Sequence, residues 1–340
     1  MTIAAFILIL LSALLHVTWN LVVKASRTGF VSYGVMGIPN VFLWAAGIFC
    51  VTPVAILQLP WPFWASALCA VTADALYGLA LFSAYKRMDM SIAYPIMRSL
   101  PILFTMIITS CLHLGSALSV RAMAGMVIVF LGCVLMPQAK FSGIKWSDYV
   151  NRNMFMVLLI ALGTTFYTIF DSQALKVLGG TAAAQGVSAP MLSLTYYGVR
   201  AVLLNAEIWG IVALTPSFRA TVPECLRKHG WKLTGAGLCA SGTYILVLIA
   251  MNFVTNVSYV QVFRQMALPF SVFAAVLFLK EKATWPKFVG VSLILLGLIL
   301  TALPKKTSPV SAPPRVKSLE VTEEMLWEES VHSVNGEVLK

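Results

Sequence analysis

The sequence predicts an all-α integral membrane protein in which ten transmembrane helices form two inverted five-helix repeats. The chain has 340 residues, of which 59% are hydrophobic and only 11% are charged. Ten apolar stretches follow one another along it, and the second five repeat the pattern of the first five. Together with a mean hydropathy of +0.86, these features indicate a polytopic membrane protein with an internal duplication.

Each apolar stretch is close to the roughly 20 residues that an α-helix needs to cross a bilayer core. The predicted spans, numbered 1 to 10, cover residues 3–23, 32–57, 63–85, 91–113, 120–136, 154–176, 190–214, 233–251, 257–279 and 287–303. Span 1 has no basic residue before it, and Lys24 and Arg27 follow it. We therefore expect span 1 to be kept as a helix and not removed as a signal peptide.

Two segments carry the duplication. Residues 93–101 in span 4 align with residues 259–267 in span 9, so that Arg98 falls on Arg264. The glycines of spans 5 and 10 also match, with the same seven-residue spacing in each: Gly125 and Gly132, and Gly290 and Gly297. An odd number of helices per repeat forces the two repeats into opposite orientations, an arrangement that many secondary transporters share.

The predicted organisation follows from these repeats. The first repeat covers residues 1–137, a connecting loop covers 138–153, and the second repeat covers 154–303. The C-terminal tail, residues 304–340, is rich in Pro, Ser and Glu. That composition is typical of a disordered segment.

Three segments resemble the EamA-type branch of the drug/metabolite transporter superfamily. They are His16–Asn20 with Lys24 in span 1, Ala93–Arg98 at the start of span 4, and Leu279–Lys282 before span 10. The resemblance implies a ten-helix carrier over residues 1–303. One departure is that members often carry a glycine–glutamate pair after the fourth helix, where this chain reads His113–Ser116 without an acid.

Two arguments on orientation disagree. The loops that follow odd-numbered spans hold fourteen Lys and Arg residues, and the loops that follow even-numbered spans hold two. By the positive-inside rule, this distribution puts both termini outside. Resemblance to the family implies cytoplasmic termini, and the basic residues just after span 10 favour the same side. Orientation is left open. The expected location is a multi-pass position in a bacterial inner (plasma) membrane.

Several function classes are disfavoured. The net charge of +11 comes from membrane-flanking loops and not from a basic patch with interleaved aromatic residues, so we expect no nucleic-acid partner. The six cysteines are scattered without a C-x-x-C pair, which predicts neither a disulfide framework nor a metal site. No catalytic motif such as H-E-x-x-H, a Walker loop or a nucleophile elbow occurs, so we expect no enzyme and no catalytic residue.

Ionisable side chains inside the spans are the candidate functional residues, because each costs a few kcal/mol at bilayer depth and usually faces a partner or a water-filled cavity. In span 1, His16, Trp19, Asn20 and Lys24 share one stripe of the helix. The stripe predicts either a cavity wall or an interhelical hydrogen-bonding seam.

Two carboxylates each have a tyrosine one turn away. Asp74 and Tyr77 lie in span 3, and Tyr167 and Asp171 lie in span 6. Such carboxylates are candidates for substrate contact or proton coupling. The alternative for Asp74 is a fixed ion pair with an arginine of a neighbouring helix.

Arginines and one further acid complete the candidates. Arg98 and Arg264 each offer a planar fork suited to a carboxylate or phosphate, on a substrate or on a protein acid. In span 7, Arg200 and Glu207 lie two turns apart, too far for a direct pair. Glu207 is a third candidate for proton coupling, with Asp74 and Asp171.

The expected function is a secondary transporter that moves a small polar or zwitterionic metabolite by alternating access, as an exporter or permease driven by proton coupling or exchange. The predicted substrate cavity comprises His16, Trp19, Asn20, Asp74, Tyr77, Tyr94, Arg98, Tyr167, Asp171, Arg200, Gln261 and Arg264. A proton or sodium ion is the expected coupling ion, with no metal or other cofactor.

The expected partners are a small-molecule substrate and the lipid bilayer, and the chain is expected to act as a monomer or homodimer. Two alternatives remain from other function classes. One is a receptor or assembly subunit that signals through the tail, and the other is a membrane-embedded enzyme acting on a lipid-linked substrate.

Overall fold

The computed structural model describes residues 2–26, 29–87, 90–136, 154–278 and 284–303, and all regular elements in these ranges are helices. The predicted connecting loop and C-terminal tail lie outside the described residues. The α-helices are α1 Ile3–Ser26, α2 Val31–Pro39, α3 Ala46–Val51, α4 Trp61–Arg87, α5 Met90–Cys111, α6 Val120–Leu135, α7 Met154–Gly179, α8 Ala189–Leu214, α9 Pro216–Met251, α10 Val257–Phe263, α11 Ala267–Phe278 and α12 Trp285–Ala302. A π-helical turn, Asn40–Ala45, joins α2 to α3, and a 3₁₀ turn, Arg264–Met266, joins α10 to α11.

Six described helical segments are long and apolar enough to cross a membrane. They are Val31–Val51, Trp61–Ala84, Met154–Gly179, Ala189–Leu214, Pro216–Met251 and Trp285–Ala302. Shorter apolar helices cover Ile3–His16, Ile96–Cys111 and Val120–Leu135. The predicted class, an all-helical membrane protein, agrees with these segments. The count of ten crossings and the inverted orientation of the repeats stay predictions.

Helices of the two predicted repeats interleave in space. α4 packs along α7, and α5 packs on α7 as well, which makes a group of three that we call the first bundle. α1 packs along α9 and also contacts α10 and α11, and these four form the second bundle. Each bundle therefore contains helices of both repeats, so neither repeat forms a body of its own.

The glycines that match between spans 5 and 10 meet at the crossing of α6 and α12. A Cβ atom added to Gly132 would lie 2.7 Å from the carbonyl oxygen of Gly290, and one added to Gly290 would lie 2.8 Å from that of Gly132. Gly125 and Gly297 approach each other in the same reciprocal way, at 2.6 and 2.5 Å. Only residues without a side chain let the two backbones come this close, as in other membrane helix pairs.

A group of hydrogen bonds, which we call the polar seam, joins the end of α5 to the start of α10. The hydroxyl oxygens of Thr109 and Ser258 lie 2.9 Å apart. The backbone N–H of Ser116 donates to the carbonyl of Thr255 at 2.9 Å, and the side-chain amide of Asn256 donates to the carbonyl of Ser116 at 3.1 Å. The seam therefore connects the first bundle to the second bundle.

The seam includes Gly115 and Ser116 of the loop between α5 and α6. Gly115 has a φ of +113°, a conformation that favours glycine. A Cβ atom on it would lie 2.7 Å from the carbonyl oxygen of Thr255. Gly115 thus lets the α5–α6 loop reach the partner segment closely enough to form the seam.

Candidate functional site

Two cavities lie between the bundles and share a wall. Their volumes are about 130 Å³ and about 50 Å³. The residues that line both are His16, Tyr77, Leu81, Tyr167 and Arg264, which come from α1, α4, α7 and the turn after α10. The two bundles, with α2 and α8 beside the larger cavity, therefore enclose one polar region.

Most of the residues predicted to form a substrate cavity line these two cavities. They are His16, Trp19, Asp74, Tyr77, Arg98, Tyr167, Arg200, Gln261 and Arg264. Asp171 is fully buried behind the cavity wall, where it contacts Arg200. The side chains of Asn20 and Tyr94 lie outside the described part of the structure. Thr164, on the same face of α7 as Tyr167, also lines the smaller cavity.

One arginine holds two buried carboxylates at the larger cavity. Nη2 of Arg200 lies 2.5 Å from Oδ2 of Asp74, and Nε of Arg200 lies 3.2 Å from Oδ1 of Asp171. The structure therefore has Asp74 in an ion pair with an arginine of a neighbouring helix, one of the two arrangements that the sequence left open. Arg200 links α8 to both α4 and α7.

Tyrosines complete the surroundings of this ionic triad. Tyr33 donates a hydrogen bond to Oδ1 of Asp74 at 2.7 Å. The hydroxyls of Tyr196 and Tyr244 donate to the two oxygens of Asp171. The ring of Tyr244 also faces the guanidinium of Arg200, whose central carbon lies 4.4 Å from the ring centroid. Such contact between a cation and an aromatic face is favourable when both are shielded from water.

The charges of the triad do not balance. Two carboxylates share one guanidinium, so the ionised triad carries one excess negative charge inside the protein. A buried excess charge is costly unless a counter-ion compensates it. The triad therefore favours a positive charge nearby, and the guanidinium of Arg264 lines the same cavity.

Arg98 ties the two bundles together. Its Nη1 lies 2.5 Å from Nε2 of His16, its Nε donates to Oε1 of Gln265 at 3.3 Å, and its Nη2 donates to the backbone carbonyl of Arg264 at 3.1 Å. Gln265 returns a hydrogen bond to the carbonyl of Arg98 at 3.0 Å. Because a guanidinium has only donors, Nε2 of His16 must accept, which makes this imidazole neutral. His16 also packs edge-to-face on Trp19, with ring centroids 5.0 Å apart.

Arg264, the repeat-related arginine, has different surroundings. It lines both cavities, as Tyr167 does. Its Nη1 is buried and has no hydrogen-bond partner, and no carboxylate of the described residues lies within ion-pair distance of it. The internal salt bridge considered for Arg264 is therefore absent from the described region.

Glu207 is not part of this arrangement. It is partly exposed, accepts a hydrogen bond from Thr72 at 3.3 Å, and lines neither of the two cavities described here. The sequence grouped Glu207 with Asp74 and Asp171 because all three are acids within spans. The structure brings only the two aspartates together, because Glu207 lies about two turns further along α8 than Arg200.

Some site residues were not singled out from the sequence. Tyr33 and Tyr244 bind the two aspartates, and Asn40, Ser241 and Gln265 line a cavity wall. In the sequence, each of these residues is a single polar or phenolic side chain within an apolar span. Such side chains also occur at membrane interfaces, so the pattern alone does not indicate a site. Among the described residues, no three His, Cys, Asp or Glu side chains come together as metal ligands.

Comparison with known proteins gives the fold alone. No family profile matches the chain, and no curated protein matches it. Among solved structures, 24 chains match. One of them, described only as the crystal structure of a protein, is 16% identical, covers 88% of this chain and 96% of its own, and has a TM-score of 0.57. The chain thus shares its fold over most of its length with a protein of known structure.

Proposed function

We propose that the protein is a secondary transporter that moves a small polar or zwitterionic metabolite across a membrane by alternating access. The observation that carries the proposal is a cavity lined by ionised side chains between helices that are apolar enough to cross a bilayer. Charged side chains at membrane depth are costly, and those that persist usually mark a solute or ion pathway.

Contacts related by the sequence repeat support the inverted arrangement. His16 and Tyr167 lie at the same distance from the first residues of α1 and α7. Arg98 contacts His16, and the repeat-related Arg264 lines the same two cavities as Tyr167. The reciprocal glycine pairs of α6 and α12 have the same two-fold character. In transporters built this way, the solute site lies near the membrane midplane between the repeats.

The moving parts in this proposal are the two bundles and not the two sequence repeats. The cavities lie between the bundles, and the polar seam joins the bundles at the end of the molecule where α5 ends and α10 begins. Opening of the seam gives access to the cavity from that end. The triad of Asp74, Asp171 and Arg200 supplies the coupling site, because its excess negative charge attracts a proton or a sodium ion.

Transient currents in proteoliposomes test this function. Purified protein on a solid-supported membrane is challenged with amino acids, other small polar metabolites and lipophilic cations, with and without a pH gradient. We expect currents for a polar class of solute. Asp74→Asn should lower the gradient-driven current about tenfold or more, because the carboxylate's charge-assisted contact with the coupling cation, about 1.5–3 kcal/mol, is lost.

Glu224→Gln is the matched control for this substitution. It also converts an acid to its amide, but Glu224 forms an exposed ion pair with Lys228 on the surface of α9. Such pairs contribute little to stability, so this variant should transport as the unmodified protein does. Currents carried by lipophilic cations alone, or an Asp74→Asn variant with unchanged gradient-driven transport, would contradict the proposal in its substrate class or its coupling site.

A further inference from the structure

We infer that the transported solute is a small organic acid, whose carboxylate binds Arg264 and whose neighbouring hydroxyl or ammonium group donates a hydrogen bond to Gln261. This inference rests on the proposed function and names the chemistry of its substrate. It comes from the polar atoms that the protein leaves without partners.

Unpartnered polar atoms are concentrated at the cavities. Seven buried side-chain nitrogen or oxygen atoms of the described residues have no hydrogen-bond partner, and four of them belong to residues that line a cavity. These four atoms are Nε1 of Trp19, Oδ1 of Asn40, Oε1 of Gln261 and Nη1 of Arg264. Buried polar groups are normally satisfied, so such a cluster beside a cavity indicates groups that a ligand completes.

Arg264 determines the charge of that ligand. Arg200 is compensated by two carboxylates, whereas no carboxylate of the described residues pairs with Arg264. A guanidinium is always charged, and its preferred partner is a carboxylate or phosphate that it binds with two parallel hydrogen bonds. An anionic group in the cavity compensates Arg264, whereas a cationic ligand is repelled by it.

Gln261 adds a second requirement. It is 2% exposed, it precedes Arg264 by one turn, and its free Oε1 is an acceptor. An acceptor next to the anion site favours a ligand with a donor close to its acidic group. α-Amino acids and α-hydroxy acids meet this requirement, and a simple carboxylate lacks the donor.

Matched solutes separate these requirements in a thermal-shift experiment on the purified full-length protein. For the alanine, leucine and phenylalanine side chains, the panel holds the α-amino acid, the α-hydroxy acid, the unsubstituted acid and the amino-acid amide. We expect the α-amino or α-hydroxy acid of at least one set to raise the melting temperature, the unsubstituted acid to act more weakly, and the amide to have no effect.

Two variants assign the effect to the residues. Arg264→Gln should weaken binding of the acid about tenfold or more, because the charge-assisted bond is lost. Gln261→Leu should keep binding of the acid but remove the preference for the α-amino or α-hydroxy acid over the unsubstituted acid. The inference is overturned if acid and amide shift the protein equally, if no acid of the panel shifts it, or if the acid effect survives in Arg264→Gln.

Stability without solute gives a second readout. Because Nη1 of Arg264 has no partner among the described residues, Arg264→Gln should melt at or above the temperature of the unmodified protein. Arg98→Gln is the matched control and should melt lower, because Arg98 bonds to His16, Gln265 and the carbonyl of Arg264. A structural role for Arg264 would instead make both variants melt lower, and that result overturns the inference.

The transport measurement distinguishes failure of this inference from failure of the proposed function. Currents carried by the amides but not by the acids would leave a transporter and refute the assigned chemistry. An acid-specific thermal shift without any current and without uptake of the radiolabelled acid into proteoliposomes would support the ligand site and refute the transport function.

Discussion

Replacement of Arg200 by Met is expected to destabilise the protein by about 3–5 kcal/mol, the loss typical of removing one partner of a buried ion pair. Asp74 and Asp171 are both buried, and Arg200 is the cation that binds them. Without it, two carboxylates face each other at bilayer depth. The measurements are the apparent melting temperature in detergent and the yield of monodisperse protein.

A variant with Asp74→Asn, Asp171→Asn and Arg200→Gln provides the control. It removes all three charges and keeps similar shapes, so folding should largely recover, because replacing a whole buried ionic group costs less than breaking it. Transport should stay absent in this variant, since the coupling site is gone. If Arg200→Met melted like the unmodified protein, the triad would not be the ionic centre that we describe.

A disulfide between positions 109 and 258 is expected to abolish transport. The hydroxyl oxygens of Thr109 and Ser258 lie 2.9 Å apart, which brings two cysteine side chains within reach of a bond. The bond would hold the two bundles together at the polar seam. Transport in Thr109→Cys with Ser258→Cys should fall in proportion to the crosslinked fraction and should return on reduction.

The experiment needs a chain without its native cysteines, because Cys111 is exposed and close to Thr109. Each single cysteine variant, oxidised in the same way, controls for damage unrelated to the crosslink. Full transport by completely crosslinked protein would mean that the seam does not open, and movement between the bundles would then be refuted.

The sequence predicted the class of fold and much of the cavity wall for a clear physical reason. An ionisable side chain in an apolar span must face the protein interior, so single-sequence patterns can find it. His16, Asp74, Arg200 and Arg264 were found in this way, and all four line a cavity. The matching glycines were also informative, because close backbone approach needs them on both helices.

The side-chain pairs formed between different helices could not be predicted, because the spacing of residues in one sequence does not give the distances between helices. Arg98 and Arg264 occupy equivalent positions in the repeat, yet Arg98 is hydrogen-bonded to three groups, whereas Nη1 of Arg264 has no partner in the described part of the chain. Glu207 stays a predicted coupling acid, but it lies about two turns along α8 from Arg200 and accepts a hydrogen bond from Thr72. The interleaving of the repeats in the two bundles was likewise invisible in the sequence.

The most direct test of alternating access does not require the substrate. Thr164 lines the smaller cavity, and its hydroxyl donates a hydrogen bond within its own helix, to the carbonyl of Ile160, so Thr164→Cys is a mild change. A membrane-impermeant thiol reagent is applied from either side of oriented vesicles that contain this variant in the cysteine-free chain.

We predict that the reagent reacts with Cys at position 164 from both sides of the membrane. In the same chain crosslinked between positions 109 and 258, reaction should persist from one side only, because the polar seam then stays closed. Reaction from the same single side with and without the crosslink would contradict alternating access through this cavity.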